Sequence, residues 1–424
     1  MSVREPVAVT GIGLVSPVGA TAAEVFDAVC DGRSGLTRPP AGHPLHGVVD
    51  VAAFAPAIDP ASVLPGPESR VVDRSIVMVL RAAEDALADA GLRIGQDVDP
   101  YRVAVVVSGV GGLSTLEEQV LARAGRGRFG VSPYMLPGTL PNMGAARIAI
   151  KFGIHGYTSS IGTACAAGAQ SIGEALRILR AGEADVVLAG CAEAPLFPTF
   201  ADAFGNARAL ARGWADPAAA SRPFDRRRNG LVLGEGAGVF VLERAAHAAA
   251  RGAHRHADVL GWGATNDAHH PTTPRPDGAG AARCMRMAVR DSGLVPGDIG
   301  YVNAHGTGTK LGDVAETTAL AEVFGTGGVP VSSTKALTGH LLGASGVLEA
   351  AATALALDSG LLPPTYHLDD PDPECEADHV RAVPRPTRAG HALTNSFGFG
   401  GQNVSLLLRR LSGPARRAAT PAAG

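Results

Sequence analysis

Lysine is almost missing from this chain of 424 residues: only Lys151, Lys310 and Lys335 occur among 37 basic residues. A lysine kept in a chain that otherwise uses arginine marks a place where a compact ammonium serves better than a planar guanidinium. No basic run exceeds Arg226, Arg227 and Arg228, and the formal net charge is −3, which speaks against nucleic acid as the main partner. Five scattered cysteines (Cys30, Cys165, Cys191, Cys284, Cys375) form no C-x-x-C pair, so neither a metal site nor a disulfide framework is expected. Residues 1–6 lack the basic and apolar regions of a signal peptide, and no apolar run approaches the roughly 18–20 residues that span a bilayer. The expectation is a cytoplasmic protein. No Gly-Lys dipeptide exists, which removes a Walker-type phosphate loop.

What is abundant is small and apolar. The hydrophobic set makes up 46% of the chain, charged residues only 18%, and glycine numbers 55. That supports a large core or two ordinary ones, closely packed, and argues against disorder. Short apolar runs alternate with Ala-rich helical stretches, the pattern of an α/β protein. VAVTGIG at 7–13, RVAVVV at 102–107, ADVVLA at 184–189 and GVFVL at 238–242 read as strands, with helices over 22–30, 78–90 and 168–180. The order then repeats with ADVLGWG at 257–263, IGYVN at 299–303, 329–333 and VSLLL at 404–408, and helices over 282–292 and 341–357. We therefore expect two similar halves, residues 1–255 and 256–411, followed by an unstructured tail at 412–424. Residues 38–68, with seven prolines and little periodicity, are expected as an irregular surface excursion.

Four stretches could carry chemistry. In SSIGTACAAGAQSIG, 159–173, Cys165 sits where a strand-like entry passes into a helix, whose amide dipoles favour a thiolate. The alternative is a small core residue. In VNAHGTGTKLGD, 302–313, His305 follows a buried strand in a loop that offers the hydroxyls of Thr307 and Thr309 to a polar ligand; a structural turn is the alternative. The third, VSSTKALTGHLLGASG at 331–346, places Lys335 five residues before His340, with Glu349 on the helix that follows and able to pair with a buried cation. The fourth, TNSFGFGGQN at 394–403, can present a backbone N–H near Phe399 and Gly400 while the ring walls off a pocket, or can be a plain turn before the last strand. A nucleophile, two histidines, a lysine and a Gly/Phe loop, each at a strand end, match the parts of thioester carbon–carbon bond formation.

TACAAG, NAHGTGT, SSTKALTGHLLGASG and NSFGFGG resemble the active-site motifs of β-ketoacyl-acyl-carrier-protein synthases, the condensing enzymes of the thiolase superfamily, and the similarity runs from residue 7 to 408. The resemblance implies a thiolase-like five-layered αβαβα sandwich of two duplicated halves, working as a dimer. It implies that Cys165 takes the acyl chain as a thioester, and that His305 and His340, with Lys335 in the catalytic set, act on a malonyl thioester. Cys165, Phe399 and Gly400 would form the oxyanion hole and gate, and Glu349 would support the histidine network. Val110 and Phe204 would bind the acyl chain, and Thr307 and Thr309 would line the pantetheine tunnel. Arg74, Arg126, Arg128 and Arg208 are candidates for docking an acidic acyl carrier protein. No cofactor is implied beyond the carrier's phosphopantetheine.

Within the family, NSFGFGG is similar to fatty-acid elongating enzymes, whereas SRPFDRRRNGLVLGEGAGVFVLE, GTGTK and DPEC are similar to type II polyketide ketosynthase subunits. Gln402 and Cys191 stand where Thr and Gly are more usual. The balance favours a polyketide or polyene ketosynthase with a chain-length-factor partner, and primary fatty-acid elongation is the alternative. A thiolase would carry a second catalytic cysteine in a Gly-rich C-terminal turn, where neither Cys284 nor Cys375 sits, and a chain-length factor would lack the nucleophile.

Overall fold

The computed structural model describes residues 5–411, so the tail expected at 412–424 lies outside the described residues. Eleven strands form its main sheet: Val7–Val15 (β1), Val103–Ser108 (β2), Thr158–Ser159 (β3), Val186–Glu193 (β4), Gly236–Arg244 (β5), Ala257–Asn266 (β6), Val302–Asn303 (β7), Pro330–Ser332 (β8), Asp378–His379 (β9), His391–Gly398 (β10) and Gln402–Arg409 (β11). Outward from the centre, the first half runs β1, β5, β4, β2, β3 and the second runs β6, β11, β10, β7, β8, with β9 added at the edge. In each half the first two pairings are antiparallel and the next two parallel. At the seam Val7, Ala8 and Val9 pair antiparallel with Val259, Asp258 and Ala257, so a local dyad passes through Ala8 and Asp258.

The helices that matter here are Ala22–Asp31 (α1), Arg74–Ala90 (α2), Leu113–Arg126 (α3), Met143–Phe152 (α4), Ala167–Arg180 (α5), Pro198–Asn206 (α6), Ala279–Ser292 (α7), Lys310–Phe324 (α8) and Gly343–Ser359 (α9). Local chemistry sets their ends: Thr21 and Glu24 make a capping box on α1, and Asp73 caps α2, which stops at Gly91 in the left-handed region. Helices α2 and α4 cover the outer face of the first half, and α7 with α8 behind it covers that of the second. Between them α5 and α9 pack on each other and on strands of both halves, completing five layers. The buried set of α9 takes in 14 of its 17 residues, as a helix enclosed on all sides requires, and this explains its Ala and Gly content.

Two expectations change. The strand at 299–303 is only Val302–Asn303, with a 3₁₀ turn at Pro296–Asp298 and three residues between the two. Residues 38–68 are mostly irregular, with a short strand at Ala52–Ala53 and a helical turn at Pro60–Val63, yet they are more than a surface excursion: Leu45, Ala52 and Ala53 are fully buried, and Leu45 and Ala52 share an apolar cluster with Cys165.

Candidate active site

The two central helices begin at the same end of the fold, and each is preceded by a non-glycine residue at positive φ: Ala164 at 48° and Leu342 at 48°. Such a backbone costs on the order of 1–3 kcal/mol and persists where surrounding structure over-determines it. Ala164 opens a single 3₁₀ turn, Ala164–Ala166, that carries Cys165 ahead of α5. Gly168 lets α9 come close, since a Cβ there would lie 2.4 Å from the Gly343 carbonyl oxygen. Cys165 is buried, and burial pushes its thiol up to about 11. The N–H groups of Phe399 and of Cys165 itself face the sulfur and oppose that rise, as does Lys335. The thiolate expected from the helix junction is therefore not the resting form, because desolvation outweighs the amides.

His305 and His340 face each other edge to face, ring centres 5.3 Å apart. Burial, the Lys335 ammonium and, for His305, the second imidazole hold both well below the usual histidine range, so both are neutral. His340 Nδ1 lies 3.1 Å from Ser345 Oγ, which accepts the Leu341 N–H at 2.8 Å. With the Ser345 hydroxyl proton assigned to Nδ1, His340 keeps an Nε2–H to donate.

Lys335 is buried, donates to the His305 carbonyl at 2.6 Å and pairs with Glu349. Burial raises Glu349 to about 7 against that cation. Buried acids that the sequence did not single out hold the His305 loop. Glu316 accepts the N–H groups of His305 (2.9 Å) and Gly306 (2.7 Å) and the amide of Asn395 (3.2 Å). Asp313 accepts those of Phe224 (2.7 Å) and Gly308 (3.1 Å) and lies 3.3 Å from the Arg228 guanidinium. Both lie at the start of α8, and two acids three residues apart after a Gly/Thr loop were the available signal. Glu193, at the end of apolar β4, accepts the N–H of Val110 at 3.3 Å and is raised to about 8 by burial.

A cavity of about 560 Å³ is lined by Cys165, His305, His340, Phe204, Phe399, Thr307, Thr309 and Arg208, so the structure brings these candidates together. Phe399 stacks on Phe204 at 5.8 Å. Lys335 and Glu349 stand behind the histidines. Val110 does not line this cavity; its N–H is tied to Glu193. Gly400 serves no oxyanion, because its N–H donates to the Pro271 carbonyl at 2.7 Å; its φ of 81° makes the turn instead. Of the docking candidates only Arg208 reaches the cavity. Arg126 and Arg128 are exposed, Arg128 over the Phe129 ring at 4.6 Å. Arg74 is not a free cation, since Glu235 and two carbonyls hold its guanidinium. Cys284 and Cys375 are buried away from the cavity, their thiols pushed up to about 12. Among the described residues no group of three or more His, Cys, Asp or Glu is placed to hold a metal, and no helix is long and apolar enough to cross a membrane.

Two family models match the chain: Beta-ketoacyl synthase, N-terminal domain, over residues 4–248, and Beta-ketoacyl synthase, C-terminal domain, over 256–369. Relatives named 3-oxoacyl-[acyl-carrier-protein] synthase 2 include one from Vibrio cholerae, 40% identical over 96% of this chain and 100% of its own, and one from Synechocystis sp., 38% identical over 96% and 98%. Among solved structures, a type II PKS acyl-carrier protein in complex with its ketosynthase bound to the hexaketide matches with a TM-score of 0.88 and 31% identity over 96% of this chain and 100% of that one. The ishigamide ketosynthase/chain length factor matches with a TM-score of 0.88 and 33% identity over the same shares. The chain belongs to the beta-ketoacyl synthase family and is a condensing acyltransferase of the 3-oxoacyl-[acyl-carrier-protein] synthase type.

Proposed function

We propose that the chain extends an acyl group by decarboxylative condensation with malonyl carrier protein. The observation that carries this is one cavity lined by a cysteine sulfur facing two backbone N–H groups and by two neutral histidines. Cys165 sulfur attacks the acyl thioester of the carrier; a new S–C bond forms, the pantetheine S–C bond breaks, and the thiol proton leaves on the pantetheine sulfur. The malonyl thioester then enters with its carbonyl oxygen toward His305 and His340. As the C–COO⁻ bond breaks and CO₂ departs, the electron pair forms an enolate that neutral imidazole donors stabilise without first losing a proton. The enolate carbon attacks the acyl-Cys165 carbonyl, whose oxyanion the N–H groups of Cys165 and Phe399 receive. Collapse releases the 3-oxoacyl carrier and the Cys165 thiolate, which takes up a proton. Lys335 and Glu349 hold the His305 backbone, Thr307 and Thr309 border the pantetheine, and Phe204 with Phe399 closes the acyl chamber. The chemistry calls for no metal or cofactor beyond the carrier's own arm.

Primary fatty-acid elongation is the pathway reading better supported, because identity to the relatives named 3-oxoacyl-[acyl-carrier-protein] synthase 2, 37–43%, exceeds the 31% and 33% to the two polyketide-type complexes. This favours the alternative over the polyketide reading taken from SRPFDRRRNGLVLGEGAGVFVLE, GTGTK and DPEC. A polyketide role with a second ketosynthase-like subunit is favoured by one observation, the match to the two polyketide-type complexes. In either role the chain pairs through the edge of β3, open on one side, where α4, which packs on that strand, exposes Ile150. Arg208 at the cavity mouth, with exposed Arg126 and Arg128, would meet the acidic carrier in the cytoplasm.

Intact-protein mass spectrometry with saturated and polyunsaturated acyl carriers tests this. A Cys165 adduct from a saturated chain, elongated by malonyl carrier with no other subunit, is expected. An adduct formed only from polyunsaturated chains, or only with a second subunit added, would establish the polyketide role. No adduct under any of these conditions would remove the proposal.

A further inference from the structure

We infer that Arg74 is a positioning residue for His340, acting through a clamp under the 38–68 segment. The inference rests on the role proposed above for His340. Three stretches of main chain lie side by side in parallel: Ala53 bridges Gly234, and Leu233 bridges His340. His340 donates its N–H to the Val232 carbonyl at 2.7 Å, and its own carbonyl accepts the Gly234 N–H at 2.9 Å. The 232–235 stretch is gripped on its other side, Ala53 N–H donating to Leu233 O at 2.9 Å and Glu235 N–H to Ala53 O at 3.1 Å. No slack exists between the layers: a Cβ on Gly234 would lie 3.1 Å, and one on Gly339 3.0 Å, from the Ala53 side chain. The position of residue 53 therefore sets that of the His340 backbone.

Arg74, the first residue of α2, locks this stack from beneath. Its guanidinium forks onto Glu235, Nε to Oε2 at 2.9 Å and Nη2 to Oε1 at 2.8 Å. Nη2 also reaches the Ala55 carbonyl at 2.8 Å and that of Pro56 at 3.0 Å. Glu235 Oε1 takes the Ala55 N–H at 3.2 Å, and its side chain is 5% exposed. One cation thus ties α2, the 53–56 stretch and the strand that holds His340. A carrier-docking arginine would instead leave its guanidinium free, and the rigid fork is what lysine cannot reproduce.

The test compares Arg74→Met, Arg74→Lys and His340→Ala in the full chain, reading Cys165 acylation by intact mass, malonyl-carrier decarboxylation, and kcat and KM for the carrier. The clamp predicts that Arg74→Met lowers kcat and decarboxylation about tenfold through misplacement of the imidazole, with acylation and KM unchanged within about twofold. Arg74→Lys, which keeps the charge and loses the fork, falls between. A raised KM at constant kcat would mean docking and overturn the clamp. Should Arg74→Met not fold, full activity of Arg74→Lys overturns it equally. If His340→Ala still decarboxylates, the role of His340 itself is wrong; if it does not and Arg74→Met does so normally, only the clamp fails.

Discussion

The two halves share a strand order and differ in what they place between strand and central helix. In the first, β3 reaches α5 across four residues and one three-residue 3₁₀ turn, and the product of that short path is Cys165. In the second, β8 reaches α9 across ten residues that include the four-residue helix Lys335–Thr338, and this longer path carries Lys335 and His340. Their electrostatics differ as well. Two buried acids near the histidine pair have cations beside them, Glu349 with Lys335 and Asp313 with Arg228, whereas Glu193, near Cys165, has the N–H groups of Val110 and Gly343 and the Cys191 thiol. The two loops thus hold a nucleophile against an apolar cluster and a histidine pair on a charged scaffold.

The sharpest way to separate the halves is Cys165→Ala. It should lower condensation by at least about 10⁴-fold and leave the unfolding free energy within about 1 kcal/mol of the parent, because only a sulfur that makes no ion pair is lost. Remaining elongation measured with purified carriers would contradict the nucleophile assignment. The reverse pattern is expected at Lys335→Met, where Glu349 is left buried without its cation. Denaturant unfolding should show a loss of about 3–5 kcal/mol, most of it regained in Lys335→Met with Glu349→Leu. A variant as stable as the parent would show that the pair carries no structural weight. Between these lies His340→Ala, expected to retain Cys165 acylation while condensation falls about 10²–10³-fold, the usual consequence of losing one donor to a developing oxyanion.

Chemistry confined to a short run was legible in the sequence. Cys165, His305, Lys335, His340 and Phe399 each lie in a glycine-punctuated stretch that follows a strand, a pattern with a local cause. The two-half organisation was legible from the repeated order of apolar runs, which the matched pairings of β1–β5 and β6–β11 reproduce. Contacts made across the chain left no local mark. Arg74 and Glu235 lie 161 positions apart, and nothing near Arg74 distinguishes it from an arginine in water. The 38–68 segment reads as surface from its prolines because its burial is supplied by distant Leu231 and Leu233, not by any periodicity of its own. Val110 was placed in the pocket by motif alone, and its N–H turned instead to an acid 83 residues away.

The effect smallest at any one pH step concerns that acid, and it probes the absence of a cation beside it. Burial raises Glu193 to about 8 from its usual value near 4.5, so the folded state binds a proton that the unfolded chain releases between those values. The stability this contributes is complete below about 4.5 and is lost as pH rises through about 8. Glu193→Gln is neutral throughout, so its stability profile between pH 4.5 and 8 should be flatter than the parent's by at most about 1.4 kcal/mol per pH unit, one proton's worth. Above pH 8 the variant should be the more stable of the two. Urea unfolding at pH 5 and pH 7.5 measures both slopes; equal slopes would mean that Glu193 stays ionised in the fold, and that the Val110 and Gly343 amides suffice to hold its charge where Glu349 and Asp313 have an ammonium and a guanidinium.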